Sequence, residues 1–283
     1  MIRVIILLTL SLLPGFVLAV YLYNKDKEKE PIGLLIKLFF GGILSCLMVI
    51  LVNSLLSFLP IFTDDIENLN ILELLINVFV GIAFVEEFCK WIIVHKFSYN
   101  HEEFDEFYDM IIYSSFVSLG FACFENIFYV FEGGISTGIV RAVLAVPGHV
   151  CDAIFMGYYL GLAKIADLAG NKKVKNKNMI LSILIPMTFH GIYDFCLMSN
   201  SWILFIVFII FIIALYIASV KKVRKISSIE EKIVKRLDRC SNCGAKVYDL
   251  YCTHCGTPVN KDIQVEKAKF IFFEINENNN NNN

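Results

Sequence analysis

Eight ionisable side chains sit inside segments that otherwise read as hydrocarbon. They are Glu86, Glu87 and Lys90 in FVEEFCKWIIV, Glu125 in FACFENIFY, His149 and Asp152 in VPGHVCDAI, and His190 and Asp194 in TFHGIYDFC. A charge at the centre of a membrane helix costs about 2.5–3.5 kcal/mol, so such groups face one another or water. Glu86 and Lys90 are four residues apart and share a helix face, as do His190 and Asp194; His149 and Asp152 are three apart. This set suits hydrolysis. A carboxylate in a dry pocket can act as a general base on water or give a proton to a leaving amine. Histidines can stabilise an oxyanion or bind a metal. Two His with one or two Glu could hold a metal with an open water position. Lys90 would hold a glutamate ionised. Ion- or proton-coupled transporters also use intramembrane carboxylates, and the residue types alone do not separate the two chemistries.

The segments that must position these groups are membrane spans. The chain has 283 residues, 57% hydrophobic and 18% charged, with a mean hydropathy of +0.65. A soluble domain is about 45–50% apolar. A net charge of −2 gives no basic field for nucleic acid. Spanning takes about 20 apolar residues, which predicts seven spans: 2–23, 33–59, 71–95, 110–131, 139–165, 179–198 and 202–220. The first reads as a retained anchor rather than a cleaved signal, because its apolar core is long and no small-x-small site follows. Glu86, His149 and His190 each fall about 10–15 residues into a span, near mid-bilayer at ~1.5 Å per residue. Glu125 is expected nearer the outer face. Lysines collect in loops 24–32 and 166–178 and in KKVRK after 220, which predicts the N-terminus outside and the C-terminus in the cytosol. The acidic, aromatic stretch YNHEEFDEFYD at 99–109 reads as a solvated loop entering the next helix.

The motifs resemble those of the PrsW family of intramembrane proteases, relatives of the CAAX prenyl endopeptidases and bacteriocin-processing enzymes. EEFCK at 86–90 resembles the family's EExxK signature. Phe124, Glu125 and Tyr129 resemble its second motif, and Arg141, His149, Gly157 and Gly161 its third. FHGIYD at 189–194, with His190 and Asp194, resembles its fourth. The resemblance covers roughly residues 75–198. It implies a multi-pass helical fold in a prokaryotic cell membrane and endopeptidase activity on membrane-anchored proteins, such as anti-sigma factors. It assigns Glu86, Glu87, Glu125, His149 and His190 to the catalytic site, with Lys90, Tyr129, Arg141 and Asp194 in support. It leaves open whether an active-site metal takes part. The resemblance assigns no role to Asp152. Met110 and Ser114 stand where that pattern has glycines, and Gly157-x-x-x-Gly161 reads as a close helix-packing face. A transporter, or a membrane scaffold that recruits partners, remains the alternative.

Five cysteines, Cys46, Cys89, Cys123, Cys151 and Cys196, are scattered through apolar segments and read as buried small hydrophobes. The other four form CSNCGAKVYDLYCTHCGTPV, two CxxC pairs separated by eight residues. Such paired knuckles supply four thiolates for structural zinc, so Cys240, Cys243, Cys252 and Cys255 are the expected ligands of a small cytosolic zinc ribbon. The ribbon could bind a protein partner. The expected organisation is therefore an all-α multi-pass membrane domain at 1–220 and a charged linker at 221–239. The ribbon follows at 240–260, and an Asn-rich disordered tail at 261–283.

Overall fold

The computed structural model describes residues 2–26, 29–59, 61–63, 69–101, 103–104, 106–237, 242–244 and 254–255. The described secondary structure is all helical. It consists of α1 (Ile2–Lys25), α2 (Ile32–Leu56), α3 (Ile71–Ile76), a π-helical segment (Asn77–Phe84), α4 (Val85–Phe97), α5 (Phe107–Val143), α6 (Ala145–Leu168), α7 (Lys172–Met198) and α8 (Trp202–Leu237). Among the described residues, five helical stretches are long and apolar enough to cross a membrane: Ile2–Lys25, Ile32–Leu56, Phe107–Leu168, Lys172–Met198 and Trp202–Ile229. Large apolar side chains such as Phe16, Phe40, Leu51, Ile206 and Ile210 point outward from α1, α2 and α8. Such a coat is unfavourable in water and suited to lipid.

The α5–α6 pair is the centre of the bundle. Helix α5 packs against α1, α2 and α6, and α6 in turn packs against α7. Close approach is achieved with glycine. A Cβ on Gly42 would strike the backbone of α5 at Val117, and one on Gly120 would strike the backbone of α2 at Phe39. The α5–α6 contact works the same way. Gly157 lies against the Met110 carbonyl and Ser114, and Gly161 lies against the Phe107 ring. The small residue that Met110 and Ser114 do not provide on α5 is thus supplied by α6. Ser114 Oγ also donates to the Ala153 carbonyl at 2.8 Å, and Ser118 Oγ to the His149 carbonyl at 2.8 Å.

Two breaks re-aim the site residues. Between α3 and α4 the helix widens into π turns over NVFVGIAF. A π turn adds a residue per turn, so every side chain after it is rotated relative to α3. The second break is in α5 at Gly134, whose φ of 78° interrupts the helix. The stretch 132–138, between the spans expected at 110–131 and 139–165, is therefore helical on both sides of one glycine. A stack of Phe84, Phe88, Trp91, His95 and Tyr99 runs along one side of α4. Trp91 Nε1 donates to Ser182 Oγ of α7 at 2.9 Å, which fixes that face toward α7.

The five scattered cysteines are buried thiols. The zinc-ribbon expectation falls largely outside the described residues, as Cys240 and Cys252 do. Cys243 and Cys255 are described and exposed.

Candidate active site

The structure brings Glu86, Glu87, Lys90, Glu125, His149 and His190 together where α4, α5, α6 and α7 meet. The first three come from the turn that follows the π segment, and all three are buried. Lys90 is the hub. Its Nζ lies 2.7 Å from Glu87 Oε1, 3.4 Å from Glu86 Oε2 and 3.2 Å from His149 Nδ1, and it sits 4.0 Å from the centre of the Phe121 ring. An ammonium only donates, so His149 Nδ1 accepts. The ring proton is then on Nε2, which donates to Glu125 Oε2 at 3.2 Å. Arg141 completes this arm, with Nη2 at 2.5 Å from Glu125 Oε2 and Nε donating to Asn126 Oδ1 at 2.6 Å. Its guanidinium also lies 4.0 Å from the centre of the Tyr129 ring.

The second arm runs through His190. Nδ1 is 2.9 Å from Glu87 Oε1, and Nε2 is 3.3 Å from Asp194 Oδ2 and 3.8 Å from Glu86 Oε2. Each ring nitrogen therefore faces a carboxylate. The two histidine rings meet edge to face at 5.2 Å between centres.

Glu125 is not set apart from the others at an outer level. The cause is where α6 begins. It starts at Ala145, after the break at Leu144, so His149 lies in its second turn rather than midway along a span starting at 139. That places His149 level with Glu125.

The two adjacent glutamates have different surroundings. The Glu87 side chain is 1% exposed and pinned between Lys90 and His190, whereas that of Glu86 is 10% exposed with only the longer contacts. Glu86 lines two cavities. One, of about 280 Å³, is bordered by Asn53, Ser57, Thr63, Asn77 and Gly81. The other, of about 570 Å³, reaches past His149, Asp152 and His190 to Phe189, Phe205 and Leu215. The sequence had no signal for the first cavity, which depends on residues 61–63 lying over the π segment. There Asn77 Nδ2 donates to the Thr63 carbonyl at 3.2 Å.

Glu86, Glu87, His149 and His190 each offer one ligand atom, and these atoms all lie within 4.8 Å of one another. Two carboxylates with two imidazoles form a donor set suited to zinc or a similar ion. The residues present fit a divalent metal. A separate buried trio is Asp26, Glu106 and Asp109, of which Asp26 Oδ2 accepts from Glu30 N at 3.3 Å and the other two cap α5. Glu106 N donates to Asp109 Oδ2 at 2.6 Å in the capping box of α5.

Comparison with known proteins identifies the family. Residues 30–219 match the family model described as PrsW family intramembrane metalloprotease. The chain belongs to the PrsW family. Protease PrsW of Oceanobacillus iheyensis is 40% identical over 195 residues, covering 69% of this chain and 84% of that protein. Protease PrsW of Bacillus subtilis is 33% identical over 202 residues, covering 71% and 87%. That of Clostridioides difficile is 36% identical over 198 residues, covering 68% and 79%. No solved structure matches. The chain is thus a membrane-embedded protease whose relatives are bacterial, and membership in PrsW sets the transporter alternative aside.

Proposed function

We propose that Glu86 is the general base of an intramembrane endopeptidase acting on membrane-anchored proteins. The observation that carries this reading is the contrast with Glu87. Glu86 borders both cavities, and its carboxylate is held only by longer contacts. It can receive water from the polar, smaller cavity and meet a peptide in the larger, apolar one. Water enters, Glu86 takes its proton as the oxygen attacks the carbonyl carbon, and the proton passes to the leaving amine as the C–N bond breaks. Glu87 holds Lys90 and His190 in place. His149 and His190 line the larger cavity at the reacting end and are held there by Glu125, Glu87 and Asp194. Glu125 fixes the His149 tautomer, and Arg141 fixes Glu125. Tyr129 walls the meeting point of the two cavities, and Asp194 orients His190. A divalent ion, if bound, would be held by Glu86, Glu87, His149 and His190 and would supply Lewis-acid polarisation and a more acidic water.

The reading extends to the rest of the chain. Seven spans put the N-terminus outside and the C-terminus in the cytosol, where Cys240, Cys243, Cys252 and Cys255 hold structural zinc in a ribbon that can engage a cytosolic partner. Substrates are single-span regulatory proteins of the anti-sigma-factor type. The test is reconstitution in vesicles with a panel of single-span reporters. Wild type should cut at least one, and Glu86→Gln, Glu87→Gln and His190→Ala should not. Equal cutting by all four proteins would remove the proposed site. Chelation followed by zinc addition, applied to a protein ending near residue 220, tests the active-site metal apart from the ribbon.

A further inference from the structure

Asp152 is 4% exposed and lines the larger cavity. Its Oδ1 is buried with no hydrogen-bond partner among the described residues. Buried carboxylate oxygens are almost always paired, because burying a polar atom without a partner costs about 1–3 kcal/mol, more for a charged group. The charged groups that act most strongly on Asp152 are Glu87, His190, Lys90 and Asp194. Two of these are acids. The three N–H groups of Lys90 are directed to Glu86, Glu87 and His149. Both His190 nitrogens face other carboxylates. The donors of Lys90 and His190 are therefore committed elsewhere, and Asp152 Oδ1 is an open acceptor on the cavity wall. The cavity wall around it is otherwise largely apolar, with Leu144, Ala145, Phe189, Phe205 and Leu215.

A peptide bond can be cut only where the substrate helix is unwound, and unwinding inside an apolar chamber strands backbone N–H groups that need acceptors. We propose that Asp152 is a substrate-binding residue whose Oδ1 accepts a backbone N–H of the unwound segment beside the scissile bond. The proposal rests on the endopeptidase reading above. It gives Asp152 a role distinct from the proton transfer assigned to Glu86. An acceptor in this position favours the unwound over the helical substrate, since in an intact helix that N–H is already bonded to the carbonyl four residues back.

The experiment uses the full-length protein and a synthetic peptide spanning the cleaved segment of a reporter that the wild type cuts. Single N-methyl groups are placed in turn on each amide flanking the cut. Asp152→Ala is expected to raise KM about tenfold or more, the size of one hydrogen bond to a charged acceptor, while kcat changes less. Asp152→Asn keeps one acceptor oxygen and should recover part of the loss. One N-methyl position should weaken cleavage by wild type about as much as Asp152→Ala does, and should add nothing further in that variant. Three results would overturn the assignment: an unchanged KM in Asp152→Ala, a fall in kcat alone with Asn no better than Ala, or N-methyl effects that add fully at every position. A wild type that cuts no reporter overturns the endopeptidase reading as well. A wild type that cuts, with an indifferent Asp152→Ala, overturns only the role of Asp152.

Discussion

Lys90 Nζ of α4 lies 3.2 Å from His149 Nδ1 of α6. This one contact joins the glutamate pair to the Glu125–Arg141 arm and sets the tautomer of His149. It also makes Lys90 the counter-charge for groups on two helices. Lys90→Met should therefore leave Glu86 and Glu87 without their nearest permanent cation. Removing one partner from a buried ion pair costs about 3–5 kcal/mol. A large drop in the thermal melting point in detergent, with loss of cleavage, is the expected result.

The two glutamates should separate in a combined activity and stability assay. Glu86→Gln should lower kcat by about 10²–10⁴-fold, the range for loss of a general base, with melting close to wild type because its contacts are long. Glu87→Gln should lose activity and also melt earlier, since Lys90 and His190 both lose their closest anion. Parallel melting curves for the two variants would contradict the assignment.

Arg141 grips two acceptors at once, Glu125 and Asn126. Arg141→Ala should loosen Glu125 and with it His149, reducing cleavage about tenfold or more. Arg141→Lys should not restore it, because a single ammonium cannot reproduce the forked guanidinium geometry or its stacking on Tyr129. Cleavage rates of the three proteins, at matched folded content, decide this.

Gly42 and Gly120 face each other's helix backbones at the α2–α5 crossing. Backbone cannot swing away as a flexible side chain can. Gly42→Ala and Gly120→Ala should each destabilise by about 1–3 kcal/mol through overpacking. Gly33→Ala, which would meet nothing within 4 Å, is the control. Thermal melting of the three variants would show whether the crossing is that tight.

Much of the helical pattern was legible in the sequence. Long apolar runs announce spans because a bilayer admits little else. The stretches at 71–95 and 139–165 were located but imperfectly bounded. The first contains π turns that leave no compositional mark. The second begins later than its hydropathy suggests, because the break at Leu144 and the positive φ of Gly134 lie within apolar sequence. The smaller cavity was invisible, as it depends on residues 61–63 lying over the π segment.

The sequence by itself determined which residues gather at the candidate site. Stranded charges in hydrocarbon are so unfavourable that EEFCK, Glu125, His149 and His190 had to find one another, and their spacing already carried the family pattern. Only the tertiary structure decided what surrounds each of them there. Glu86 and Glu87 are adjacent on one helix and about 100° apart around it. Their neighbours are supplied by α6 and α7, so nothing in the local sequence could tell the open carboxylate from the pinned one. For the same reason the unpartnered oxygen of Asp152 emerged only once the donors of Lys90 and His190 were seen to be committed elsewhere.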